Sequence, residues 1–304
     1  DFTETVGEVT LSSTTFGGAV IRTGMNGRLI LNGDLTMNNN RNATGNTGRE
    51  VLITATGNST TGIGIGGTLD LGGGDRRIIV NTNNTQANNH ATIETVITNG
   101  RLIKDGAGVL RLSAANTYTG GTVINQGTLM LNAAEALPAN TTLTISAPTA
   151  GTSATLNLNG TNLTLVPAHN LVFGGGAGSS HIATGTGTLF LTQDFVFDAT
   201  NNPQTSTITG QIDFGGNRVF NVPDSTATAA ELQLGAVIVS NGNLTKIGNG
   251  ALSLRAQSPD WVGVIIVDEG TLRFDAGLSN NTQFANVLGA ASNELFVNGS
   301  TLQF

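Results

Sequence analysis

The chain has 304 residues, 42 of them Gly and none Cys, with 11% charged and 5% aromatic residues and a net charge of -7. Gly stands at roughly twice its usual share of about 7% without a Gly-X-Y period, and 38% hydrophobic residues are too many for a disordered chain, so a collagen and a solvated tail are excluded. Lack of Cys removes disulfides and thiolate metal sites, the acidic balance argues against a nucleic-acid partner, and no run reaches the ~18 apolar residues of a membrane helix.

The chain opens at Asp1 with neither a Met nor a signal-type apolar region, which reads as a processed or excised segment. From there the recurring element is a short alternating stretch ended by Gly, Asn or another polar residue. Leu29-Ile30-Leu31, Leu69-Asp70-Leu71, Leu110-Arg111-Leu112, Leu129-Met130-Leu131, Leu156-Asn157-Leu158, Leu189-Phe190-Leu191, Leu252-Ser253-Leu254 and Leu272-Arg273-Phe274 follow one another in this way. Apolar residues two apart share one face of a strand, so each stretch predicts a half-buried strand. No window carries the i, i+3, i+4, i+7 spacing of an amphipathic helix, and Thr, Val, Ile and Asn outweigh strong helix formers, so helix is expected to be minor.

The chain also repeats itself. Leu102, Lys104, Gly106, Gly108, Leu110 and Leu112 match Leu244, Lys246, Gly248, Gly250, Leu252 and Leu254 at an offset of 142 (244 - 102). After a one-residue insertion, Tyr118, Gly120, Gly127, Thr128 and Leu129 match Trp261, Gly263, Gly270, Thr271 and Leu272 at 143 (261 - 118). Upstream, Leu69-Asp70-Leu71-Gly72-Gly73 matches Ile212-Asp213-Phe214-Gly215-Gly216, Gly27 to Leu31 resembles Gly187 to Leu191, and Phe16-Gly17-Gly18 matches Phe173-Gly174-Gly175. Two tandem units are expected, residues 1–161 with an insertion near 38–68 and residues 162–304, in one continuous solenoid. Val9-Thr10-Leu11 aligns with Leu163-Thr164-Leu165 and with the final Leu302-Gln303-Phe304, so the chain stops in the phase in which it starts. Val9, Leu11, Leu302 and Phe304 are thereby candidates for head-to-tail self-association.

These features predict an all-β chain folded as a right-handed parallel β-helix. Inward Leu, Val and Ile would stack rung on rung, with Gly and Asn at corners that need positive φ. Coils of about 20 to 25 residues rising ~4.8 Å each would extend about 60 to 70 Å.

The pattern Leu102-x-Lys104-x-Gly106-x-Gly108-x-Leu110-x-Leu112, then Asn116-Thr117-Tyr118-Thr119-Gly120-Gly121-Thr122, then Gly127-Thr128-Leu129, resembles the passenger-associated transport repeat of bacterial autotransporters. In the second copy Asn-Thr-Tyr becomes Pro259-Asp260-Trp261, a departure from the pattern at that corner. The flanking Leu-Asp-Leu-Gly-Gly stretches are similar to those of long autotransporter-associated β-strand repeat proteins. The resemblance implies a secreted β-helical passenger, extracellular or at the bacterial cell surface, whose repeats aid export and build a stalk. It implies no chemistry. A series of about ten-residue, aromatic-girdled strands for a membrane barrel is not present in this segment.

Candidate chemistry is sparse. Lys104 and Lys246, the only lysines, share a repeat position and read as corner residues with their ammonium groups in water, the other reading being an amide cross-link to Asn or Asp. His90, His169 and His181 share no repeat position and show no metal spacing. Asp194 and Asp198 share a strand face, while Asp268, Glu269 and Asp275 cluster; all read as solvated faces and turns rather than the carboxylate pair of a glycosidase or a calcium site. Gly174 to Gly178 lacks the Lys of a phosphate loop. Asn-x-Ser/Thr triplets at Asn42, Asn58 and Asn162 follow from composition, and Asn-rich corners are expected to stack as hydrogen-bonded ladders.

The expectation is an extracellular structural solenoid, a stalk or filament-forming unit with an adhesive surface, no catalytic role and no cofactor. Lys104, Gly106, Gly108, Tyr118, Gly120, Lys246, Gly248, Gly250, Trp261 and Gly263 are its motif residues. Its partners are expected to be itself, head to tail, and surface glycans or neighbouring cells, without nucleic acid or membrane insertion. The alternative is a carbohydrate-binding or carbohydrate-cleaving β-helix, which would need aromatic platforms along an outer groove; a single Tyr and a single Trp do not supply one.

Overall fold

The computed structural model describes residues 2–13, 18–39, 51–55, 67–82, 90–225, 230–274 and 287–303. Most of the insertion near 38–68 lies outside them, as do Phe16, Gly17, Asp275 and Phe304. The described residues are almost all strand and turn, and every strand pairing among them is parallel, with a short 3-10 turn at Pro167–His169. The chain divides into two compact units, Asp1–Thr144 and Ile145–Phe304.

In the first unit the chain visits three parallel ladders in a fixed order. Thr3–Val6, Arg28–Leu31, Thr68–Asp70 and Val96–Thr98 form one. Val9–Ser12, Leu35–Asn39, Asp75–Thr82, Arg101–Asp105 and Thr122–Ile124 belong to the second, and Ala19–Arg22, Val51–Thr54, His90–Ile93, Val109–Leu112 and Gly127–Leu131 to the third. Because each strand pairs with the strand one pass later, period-2 alternation puts the same inward position of every pass into one stack. Leu29, Leu69 and Ile97 stack in this way, as do Leu110, Ala91 and Leu129, and all are buried.

The second unit has two long ladders. Val172–Gly174, Phe195–Asp198, Arg218–Asn221, Leu244–Ile247, Val264–Val267 and Glu294–Val297 form one. Ser153–Asn157, Ser179–Leu191, Ser206–Asp213, Leu232–Ile238, Ala251–Leu254, Thr271–Phe274 and Thr301–Gln303 form the other, with Leu163–Leu165 paired to the end of Ser179–Leu191. The upstream repeat match is visible in the register: Leu29 pairs with Leu69 in the first unit, and Leu189 pairs with Ile212 in the second. The setting differs, since Thr68–Asp70 is a separate strand while Ile212 and Asp213 continue a strand begun at Ser206.

The core of the second unit is aromatic. Phe173 packs edge-on against Phe195 and Phe197 at 5.6 and 6.3 Å, Phe195 stacks on Phe220 at 5.3 Å, and Phe214 bridges Phe220 and Trp261 at 5.4 and 6.0 Å. Offset and edge-to-face pairs of this kind add about 0.5–1.5 kcal/mol each to the area they bury.

Corners are joined by side chains, as the Asn-rich composition predicts. Asn38 donates to Ser12 and accepts from Asn81, both at 3.0 Å. Asn217 accepts the Asn243 N–H at 3.0 Å, and Asn243 in turn accepts the Val264 N–H at 2.9 Å. Asp34 and Asp194 accept the Arg77 and Val219 N–H groups in the same manner.

One sequence correspondence is corrected. Leu163 pairs with Leu189 and Glu4 pairs with Leu29, so the counterpart of Leu163-Thr164-Leu165 is Glu4-Thr5-Val6, not Val9-Thr10-Leu11. Val9 pairs with Leu35 in the ladder that holds Lys104, whereas Leu302 pairs with Leu272 in the ladder of Ala251–Leu254. A three-residue alternation recurs in every strand of such a fold, so it carries no information about which ladder a strand joins.

Candidate functional site

The repeated motif forms the same structure in both units, built around its lysine. Leu102 and Lys104 have the same parity on Arg101–Asp105, and both point inward; Lys104 lies in register between Ile78 and Ile124. Its ammonium emerges at the corner and donates to three main-chain carbonyls: Asp105 O at 2.9 Å, Gly106 O at 2.7 Å and Gln126 O at 2.8 Å. Lys246 repeats this, donating to Ile247 O at 2.9 Å, Gly248 O at 2.5 Å and Glu269 O at 3.1 Å. The first two acceptors follow the lysine in the chain and the third belongs to the next pass, so each ammonium ties two successive passes together.

Both lysines are fully buried, which corrects the expectation of corner residues with ammonium groups in water. The hydrogen bonds run to backbone carbonyls, an arrangement for holding a proton-bearing nitrogen rather than for forming an amide. Burial pushes Lys104 down to about 7 and Lys246 down to about 8, against the pull of the Asp105 carboxylate on the first and of the Glu231 and Glu269 carboxylates on the second. Three carbonyl acceptors favour the charged form and oppose the desolvation.

The motif glycines make room for this cage. Gly106 and Gly248 have φ of 74° and 80°, and Gly127 and Gly270 have 71° and 69°. A Cβ on Gly127 would lie 2.4 Å from Gly106 O and 2.5 Å from Gly108 O; on Gly270 it would meet Gly248 O and Gly250 O at the same distances. Gly120 and Gly263 pack onto backbone too, 2.8 Å from Gly100 O and 2.1 Å from Gly242 O by the same construction. Gly108 and Gly250 are equally tight, against Val80 Cγ1 at 2.7 Å and Pro223 O at 2.5 Å.

Tyr118 and Trp261 fill the other side of the pass, and both are fully buried. The hydroxyl of Tyr118 shares a 2.6 Å hydrogen bond with Thr122 Oγ1, and burial pushes its pKa up. Two further residues join the motif that sequence reading did not single out. Asn116 accepts the Ile97 N–H at 2.8 Å and donates to Ala136 O at 2.7 Å, while Ser258, in line with it at the offset of 142 and in place of the Pro259 that the sequence set against it, accepts the Ile238 N–H at 2.9 Å. Their signal was a polar residue at matching motif positions, 116 and 258.

The remaining candidates stay apart. Asp198 ends the strand Phe195–Asp198 and Asp194 lies just before it, and each accepts a main-chain N–H, Asp194 from Val219 at 2.8 Å and Asp198 from Thr200 at 2.9 Å. Asp268 accepts from Asn298 at 2.7 Å and Glu269 from the Gly248 N–H at 2.7 Å. His181 bonds Ser179 and Thr207, both at 2.8 Å, while His169 holds the 3-10 turn. Among the described residues, no three His, Cys, Asp or Glu side chains gather as metal ligands. Val9, Leu11 and Leu302 are half-buried strand residues.

Compared with known proteins, residues 102–131 match the family model described as Passenger-associated-transport-repeat. No curated protein and no solved structure matches the chain. The first motif copy, from Leu102 to Leu131, is thus similar to the transport repeat of autotransporter passengers, a family of secreted or cell-surface proteins.

Proposed function

We propose that this chain is part of an autotransporter passenger, folded as a right-handed parallel β-helix, and that it serves outside the cell or on its surface as a stalk. It acts through shape and surface rather than through catalysis, and needs no cofactor. The observation that carries this reading is the matched segment itself: residues 102–131 supply parallel strands to two ladders and close the corner between them with Lys104. A parallel ladder with a closed corner extends by adding passes, which suits a spacer whose length scales with repeat number. Further β-coils, copies of itself among them, and the glycans or proteins of a neighbouring surface are the partners such a stalk would meet.

Electron microscopy of the purified 304-residue chain over a concentration series tests this. Thin particles of uniform width are expected, and compact globules would refute the β-helical stalk. Particle length that grows with concentration would add end-to-end assembly to the role. Antibody labelling of intact cells is expected to reach the chain, and labelling only after lysis would refute the surface location.

A further inference from the structure

In the second unit, Leu165 and Val172 are joined by an excursion that leaves the ladders, and one histidine bonds back across it. Pro167–His169 form a 3-10 turn, closed by the Asn170 N–H donating to Pro167 O at 3.0 Å with Asn170 in the left-handed region at φ 37°. Val166 and His169 clasp each other reciprocally across this turn. The His169 N–H donates to Val166 O at 2.9 Å, and the Val166 N–H donates back to His169 Nδ1 at 3.1 Å. His169 is 2% exposed, and its Nε2 has no hydrogen-bond partner among the described residues.

That geometry requires a neutral ring with Nδ1 as acceptor, so that the proton sits on Nε2. A second proton would have to go on Nδ1, placing an N–H against the Val166 N–H and a full charge in a buried site without a partner. The turn also walls a groove of about 360 Å³ through Pro167, Asn170 and Leu171, opposite Asp194 and Val196. Among the described residues Asp194 is the one ionisable group on that groove's lining, and its carboxylate already accepts the Val219 N–H.

We propose that His169 is an acid-released clasp: protonation of its ring breaks the Val166 N–H to Nδ1 bond, frees the turn and reshapes the groove it walls. Burial holds the folded ring below its ordinary value of about 6.5. The released turn therefore takes up the proton more readily than the clasped one. Clasping is fully favoured above that ordinary value and weakens as pH falls towards the depressed value of the clasped ring.

The test is residue-resolved amide exchange on the whole chain at pH 7 and at pH 5, where ordinary carboxylates remain ionised. Corrected for intrinsic rates, protection of the Val166 amide is expected to fall about tenfold or more at pH 5. His169→Asn places a non-titrating oxygen near the Nδ1 position and is expected to keep the protection, whereas His181→Gln should lose it as the wild type does. Unchanged wild-type protection, an equal loss in His169→Asn, or a loss abolished by His181→Gln would overturn the proposal. Should His169→Asn fail to fold, the wild type still decides: the His169 ring titration followed by NMR and the loss of Val166 protection must share a midpoint, and separate midpoints would overturn it.

Discussion

Tyr118 and Trp261 occupy the same station of the two motif copies and are both fully buried, yet their polar atoms reach in different directions. The Tyr118 hydroxyl bonds Thr122 within its own pass, whereas Trp261 Nε1 donates to Gly242 O in the pass before, at 2.8 Å. The reason lies one strand on, because the counterpart of Thr122 is Ile265, which has no hydroxyl to offer. An indole reaches past it to a backbone carbonyl. Tyr118 with Thr122 in the first copy, and Trp261 with the Gly242 carbonyl in the second, each leave the buried polar atom bonded across the departure at Pro259-Asp260-Trp261.

These two residues are the only Tyr and the only Trp, one in each compact unit, so each unit carries its own fluorescent reporter. Lys104→Met removes the donor to three main-chain carbonyls, one buried and two partly buried, and is expected to cost about 3 kcal/mol. The loss should appear as a lower denaturant midpoint at Tyr118, with Lys246→Met lowering the midpoint at Trp261. Equal midpoints for wild type and Lys104→Met would show that the cage contributes nothing.

The lysines also set a pH dependence. Burial lowers Lys104 to about 7 and Lys246 to about 8, whereas the unfolded lysines titrate near 10.4. A base whose folded value is depressed makes the folded state shed protons, so stability rises with pH from about 7 to about 10. Urea midpoints measured across that window should climb in the wild type and flatten in the double Lys→Met variant.

Glycine substitutions separate space from backbone strain. Gly127→Ala combines a φ of 71° with a Cβ 2.4 Å from Gly106 O, and is expected to cost about 3 kcal/mol or more. Gly24 has a φ of 74° but nothing within 4 Å of a built Cβ, so Gly24→Ala should cost only about 1 kcal/mol. Thermal unfolding of the two variants provides the comparison, and similar losses would disprove the crowded-corner account.

Asp70 gives the first unit an acid-sensitive point. Burial raises its pKa, but the Arg28 side chain, the Gly72 N–H at 2.6 Å and Asn99 at 3.1 Å outweigh it and leave the carboxyl below its ordinary value. Its contribution is present above about pH 4 and lost as pH falls through the depressed value. Asp70→Asn is expected to cost about 1–3 kcal/mol at pH 7 and to lessen the loss on acidification. A variant as acid-sensitive as the wild type would place the sensitive group elsewhere.

Much of this was legible in the amino-acid order. Alternation along Leu102-x-Lys104 and Leu110-x-Leu112 marks strands and their inward faces, and the offsets of 142 and 143 mark the repeat. Parity even put Lys104 on the same face as Leu102, and only the charge on its side chain argued for water. What chain order could not convey was the third acceptor of each ammonium: Gln126 O and Glu269 O lie 22 and 23 residues away and reach the lysine only once the next pass is laid down.

The sequence by itself determined strand, turn and repeat, because these follow from side-chain alternation and from the glycine and asparagine that corners demand. Tertiary structure alone decided which ladder each short strand joins, so that Leu163 pairs like Glu4 and not like Val9. It also decided that a lysine lies inside. Two-residue periodicity is identical in every strand and cannot specify a partner, and a charged group becomes tolerable in the core only when distant carbonyls are brought around it.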